Sequence, residues 1–153
     1  MPLEIRHAAE HARRRDARQA AALHAVWQRF LDHGAPVTVA AVGAPREAIE
    51  ALHALDLVFL DGEVIHTAYP FAAGPNPWAV EVPGGVTRYA CCAIDAIGLA
   101  PMLGEPVRVT SWCHETGAPI EFDVAPDGPR SLPQTMVWVA PRDACSGPIA
   151  TGL

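Results

Sequence analysis

The sequence predicts an α+β protein: a helical, winged-helix-like N-terminal module over residues 1–80, then a core over 81–153 in which one helix packs on a small, mostly antiparallel β-sheet. Three observations predict it. Apolar residues recur at three- and four-residue steps from Asp16 to His33. Asp61-Gly62 separates two β-prone runs. Three further β-like runs follow a single helix-like segment in the C-terminal half.

In the first segment, Ala20, Leu23, Val26, Trp27, Phe30 and Leu31 form one helical stripe, stopped by Gly34 and Pro36. PVTVAAVGAP is ambiguous and is read as a second, short helix. Pro45 opens a further helix, PREAIEALHALD, because its missing N–H costs nothing in a first turn. Ile49, Leu52 and Leu55 are its expected buried stripe, with Ala48 and Ala51 alongside. LVFLDGEVIHTAYPF then reads as a hairpin turning at Asp61-Gly62. AAGPNPWAVEVPGG reads as linker and turn, with one short strand around Trp78 to Val82. TRYACCAIDAIGLAPML is expected to be a helix ending near Gly98 to Pro101. PVRVTSWC, TGAPIEFDV and QTMVWVAP complete the sheet, with Trp112 and Trp138 as core or pocket-wall aromatics and Trp78 on a loop before the candidate site.

Composition narrows the function. Half of the 153 residues are hydrophobic and 18% are charged, enough for a filled core. No apolar run is long enough to span a bilayer, and MPLEIRHAAEHARRRDAR lacks the apolar stretch of a secretory signal, so a cytoplasmic protein with no membrane partner is expected. A net charge of −6 argues against a nucleic-acid partner. Lysine is absent, and Arg6, Arg13, Arg14, Arg15 and Arg18 gather at the start, read as a solvated helix end. A helix, short helix, helix and hairpin often bind DNA. Here the last helix carries Glu47, Glu50 and Asp56 against Arg46, which phosphates would repel, so the module reads as a scaffold.

The four cysteines (Cys91, Cys92, Cys113 and Cys145) are read as free thiols. No Cys-x-x-Cys pair suggests a zinc module. Cys92 and Asp95 are three residues apart, so in a helix they share a face, from which Cys91 turns about 100° away. Among Ala, Ile and Leu an aspartate loses hydration and favours its neutral form. A thiol near a helix start feels the positive dipole end, which favours thiolate. The pair would then offer a soft metal ligand beside a proton donor. The alternative is a packed thiol and a capping acid. A Cys113–His114 metal pair is disfavoured because strand neighbours face opposite sides. His24, His53 and His66 read as surface or satisfied core residues.

RYACCAIDAIGLAPMLGEPVRVTSWCHETGAPIEFDVAP resembles the core of the organomercurial (alkylmercury) lyase family. The shared pattern is Tyr89-Ala90-x-Cys92-Ala93-Ile94-Asp95, then Pro101-x-Leu103-Gly104, Ser111-x-Cys113 and Thr116-Gly117-x-Pro119, together with a winged-helix-like N-terminal domain. The resemblance implies protonolysis of a carbon–mercury bond without a cofactor. Cys92 would be a mercury ligand, Asp95 the proton donor and Cys113 a structural thiol. Mercury enters as substrate, and the Hg(II) product would pass to a small external thiol or a mercuric reductase partner. The family's second catalytic cysteine would come next after Leu153, so either the chain is truncated or this homologue has an incomplete site. Cys91, standing where the family often has Trp, and Cys145 are the candidate substitute ligands, or else packed or exposed thiols. The alternatives are a homologue that binds a soft metal or organometal without cleavage, one recruited to other chemistry, and a DNA-binding regulator.

Overall fold

The computed structural model describes residues 16–34, 36–130 and 137. Helix α1 (Ala17–His33) starts where Asp16, in extended backbone, accepts a hydrogen bond from the Gln19 amide at 2.8 Å. Its stripe of Ala22, Leu23, Val26, Trp27, Phe30 and Leu31 is buried, as the periodicity requires. The ambiguous PVTVAAVGAP divides into strand β1 (Val37–Thr38) and the one-turn helix α2 (Val39–Val42), which Thr38 caps. Helix α3 (Arg46–Ala54) buries Ala48, Ile49 and Leu52. Leu55 is not part of that stripe: the helix stops before it and Asp56 takes a positive φ of 57°, leaving Leu55 53% exposed.

Strands β2 (Val58–Asp61) and β3 (Val64–Ala68) form the expected hairpin, with Asp61 opposite Val64 across Gly62-Glu63. Strand β3 also pairs with β1 and with β4 (Phe71–Ala72), giving a four-stranded antiparallel sheet. Helix, strand, short helix, helix and hairpin is an order compatible with a winged helix.

The second sheet has five antiparallel strands in the order β6-β5-β7-β8-β9. They are β5 (Ala79–Val82), β6 (Val86–Tyr89), β7 (Val107–Trp112), β8 (Pro119–Ala125) and β9 (Gly128–Arg130). Along β7, Val107, Val109 and Ser111 are buried while Arg108, Thr110 and Trp112 face out, the two-residue alternation of a half-covered sheet. Trp112 is therefore no core aromatic; it is 51% exposed. Trp138 and most of QTMVWVAP lie outside the described residues.

Helix α4 (Ala93–Leu103) packs on β7, β8 and β9 through Ala96, Leu99, Ala100 and Leu103. Its limits differ from the expectation at both ends. Thr87, Arg88 and Tyr89 are strand residues, paired with Glu81, Val80 and Ala79. Pro83-Gly84-Gly85 is a hairpin turn rather than a linker, with both glycines at positive φ (97° and 74°). At the other end the helix continues through Gly98 and Pro101, and Gly104 closes it in the left-handed region. Buried residues from both sheets and from all four helices join one apolar cluster.

Candidate active site

Three backbone decisions set the site. Strand β6 ends at Tyr89, Cys92 is fully extended (φ −153°, ψ 179°), and α4 begins at Ala93. Cys92 is thus the N-cap of α4 rather than an interior residue, and Asp95 is the third residue of its first turn. The Cys92 sulfur accepts from the Asp95 amide at 3.5 Å and donates to Asp95 Oδ2 at 3.1 Å. The sulfur thus serves as the N-cap acceptor for the amide of the third helical residue, a thiol in place of the usual hydroxyl, and donates to that same residue's carboxyl. The sequence spacing brings the two groups together as expected, although through a cap and not a helical face.

Their electrostatics differ from the expectation in one respect. Burial pushes the Cys92 thiol up, outweighing the Asp95 and Ile94 amides that favour thiolate. Burial also raises Asp95, while its bond to Cys92 pulls the other way. The hydrogen bond between them favours the thiol and the carboxylate, so in the free protein the shared proton sits on sulfur. Sulfur and carboxyl are both half-buried, which makes transfer of that proton between them a short step.

Cys91 is placed differently. Its amide donates to the Pro70 carbonyl at 3.0 Å and its thiol to the Phe71 carbonyl at 3.3 Å. Burial holds the thiol strongly protonated. Its direction is set by this strand-like pairing with the Pro70–Phe71 segment, and not by a helical turn. Cys113 sits half-buried in the turn after β7, where its amide and carbonyl close the loop onto Ala118 (2.7 Å) and Gly117 (2.8 Å). The Thr116 hydroxyl, with the Thr116 and Glu115 amides, pulls this thiol below its ordinary range. His114 is exposed in the same turn. Cys145 lies outside the described residues. Among the described residues, no group of three or more His, Cys, Asp or Glu side chains is placed to hold a metal ion.

Tyr69 escaped the sequence reading. Its hydroxyl is buried and finds no hydrogen-bond partner among the described residues, and burial raises its pKa, with Cys91, Asp56, Asp95 and Cys92 adding to the effect. No local pattern marks it, because a long stretch of chain separates it from Cys92. His53 and His66 flank the Phe59 ring (centroids 6.2 and 5.9 Å), and His53 Nδ1 lies 3.1 Å from the Val58 carbonyl, consistent with satisfied packing. A concavity between α1 and α3, lined by Ala21, Ala22, Ala25, Ala48 and Ala51, includes neither Cys92 nor Asp95.

Residues 71–153, which contain Cys92, Asp95 and Cys113, match the family model described as alkylmercury lyase. An alkylmercury lyase of Streptomyces lividans is 35% identical over 115 residues, covering 71% of this chain and 53% of that protein. One from Staphylococcus epidermidis is 34% identical over 104 residues, covering 65% and 48%. The chain thus spans about half the length of the curated relatives it matches. The crystal structure of the mercury-bound form of MerB2 shares the fold, with a TM-score of 0.64 over 82% of this chain and 64% of that one, at 21% identity. With more than half its length matching the family model, and that half carrying the capped Cys92–Asp95 pair, the chain belongs to the alkylmercury lyase family.

Proposed function

We propose that this protein cleaves carbon–mercury bonds by protonolysis, with Cys92 binding the mercury and Asp95 delivering the proton. The observation that carries the reading is the 3.1 Å contact between Cys92 Sγ and Asp95 Oδ2 at the start of α4. Thiolate sulfur selects soft metals. An organomercurial cation arriving at Cys92 replaces the thiol proton, and the carboxylate beside it takes that proton up. Burial favours this step, since Asp95 is already held above the usual carboxylate range.

The neutral carboxyl then stands next to the carbon attached to the bound mercury. Protonation of that carbon breaks the carbon–mercury bond, releases the hydrocarbon and restores the carboxylate. Hg(II) stays on Cys92 until a second thiol draws it off. An external small thiol, or a mercuric reductase acting as acceptor, supplies that sulfur. Nothing in the sequence of steps calls for a resident cofactor.

Incubation with phenylmercury and excess small thiol, followed by headspace measurement, tests the reading. Benzene release supports it; phenylmercury retained on Cys92 without benzene refutes it. A second reading, soft-metal or organometal binding without cleavage, is favoured by one observation. Only one thiol among the described residues engages Asp95, while Cys91 is committed to the Phe71 carbonyl. The retained-phenylmercury outcome is what that reading expects.

A further inference from the structure

A phenol hydroxyl removed from water without a partner costs about 1–3 kcal/mol. Folded proteins pair the great majority of such groups. Two buried side-chain hydroxyls lack a partner among the described residues, those of Tyr69 and Ser111. Ser111 lies on the covered face of β7 beneath α4. Tyr69 is the one carried by the segment that pairs with Ala90 and Cys91, immediately before the acid–thiol pair in the chain.

Its backbone is fixed from three directions. The Tyr69 amide donates to the Leu57 carbonyl at 3.2 Å, and its carbonyl accepts from Trp27 Nε1 at 2.7 Å. The next two carbonyls, of Pro70 and Phe71, take the amide and thiol of Cys91 at 3.0 and 3.3 Å. Phe71 also bridges Ala90. The segment carrying Tyr69 is thereby bound along the segment that leads into Cys92. Burial raises the hydroxyl above its ordinary range, with Cys91, Asp56, Asp95 and Cys92 adding to the effect, so it stays protonated and towards an anion can only donate.

We propose that Tyr69 is a positioning residue of the site: its buried hydroxyl, unpartnered among the described residues, is the hydrogen-bond donor reserved for the Cys92–Asp95 pair once that pair has given up its proton. In the resting protein the Cys92 thiol donates to Asp95. When mercury occupies the sulfur and carbon has taken the proton, the restored carboxylate has lost that donor, and the phenol O–H replaces it. A donor to a carboxylate makes a strong, charge-assisted hydrogen bond. This role rests on the lyase reading for its kinetic consequence, and on the packing of Tyr69 alone for its effect on Cys92.

Tyr69→Phe tests it, since the change removes one oxygen and keeps the ring. Two readouts are taken: hydrocarbon release from phenylmercury with excess thiol, and the rate at which iodoacetamide alkylates Cys92 at fixed pH, located by mass spectrometry. The expected result is a kcat lower by about 10- to 100-fold with KM unchanged, and Cys92 alkylation slowed severalfold because the deprotonated pair has lost its donor. Thermal stability should be unchanged or raised, as an unpaired buried hydroxyl is gone. Wild-type kcat in Tyr69→Phe overturns the proposal, whatever the alkylation rate. If the unaltered protein releases no hydrocarbon, the lyase reading falls and alkylation alone decides: slower in Tyr69→Phe upholds the contact, an unchanged rate overturns it.

Discussion

Cys92 caps α4 through Asp95 and bonds its side chain as well: the sulfur accepts from the Asp95 amide at 3.5 Å and donates to Asp95 Oδ2 at 3.1 Å. The same atoms that close the first turn of α4 are those to which the chemistry is assigned. Structure and reactivity can be separated by substitution.

Serine is a strong N-cap and is nearly isosteric with cysteine. Cys92→Ser should therefore stay within about 1 kcal/mol of wild-type stability in urea unfolding. It should lose organomercurial uptake at this position, read by mass spectrometry of the loaded protein. A variant that still takes up phenylmercury at full stoichiometry and releases benzene would remove Cys92 from the site.

Asp95→Asn should alter stability in a pH-dependent way. Burial raises Asp95 above its ordinary value of 3.8, so the neutral acid is favoured more in the folded than in the unfolded chain. The stability this group contributes is present below pH 3.8 and is lost as pH rises through its raised value. The amide side chain of the variant never ionises. The advantage of Asp95→Asn over wild type should accordingly grow with rising pH across that window and then level off, as denaturant midpoints at several pH values would reveal. A constant difference would argue against a desolvated carboxyl.

Cys91 gives the alkaline counterpart. Its thiol is buried and held above the ordinary 9.0. Its contribution is present below pH 9.0 and fades above it, because unfolding there releases a proton. Cys91→Ala should cost about 1 kcal/mol at neutral pH, from the lost bond to Phe71. It should also show a flatter decline in stability above pH 9.0. Identical alkaline limbs would contradict the burial of this thiol.

Gly74 lies under the Tyr89 ring: a Cβ there would come within 1.8 Å of Tyr89 Cδ2. Gly74→Ala must displace the ring at the end of β6, just before Cys92. We expect a loss of about 1–3 kcal/mol in unfolding free energy. Gly43→Ala is the informative control, since nothing lies within 4 Å of a Cβ at that position although its φ is +72°; its cost should be backbone strain alone, about 1 kcal/mol.

What is legible in the sequence follows how local each cause is. Helix α1 is readable because its stripe repeats within one segment and Asp16 and Gly34 mark its ends. Cys92 and Asp95 are readable because their spacing brings them together at a cap as well as on a helical face. The start of α4 is not. Thr87 to Tyr89 belong to a strand only because β5 lies across the Pro83-Gly84-Gly85 turn, a pairing that residue preferences within TRYACC do not display. Leu55 fits the apolar repeat of α3, yet the helix ends one residue earlier. Trp112 looks like core by residue type, but the alternation along β7 points it outward. The proton's place is also hidden: helix-dipole reasoning favours thiolate, and burial outweighs it. Tyr69 is placed by tertiary contacts to Leu57 and Trp27, and its neighbours Pro70 and Phe71 by contacts to Cys91, which no window of sequence contains.

The central claim is that Asp95 hands to carbon the proton that mercury displaces from Cys92. It is tested most directly by a single-turnover measurement of benzene release from phenylmercury, in excess thiol, comparing wild type with Asp95→Ala after both have been shown to take up phenylmercury at Cys92. We predict about one benzene per wild-type molecule, with release from Asp95→Ala slower by about 100-fold or more. Benzene released by Asp95→Ala at the wild-type rate would contradict the claim.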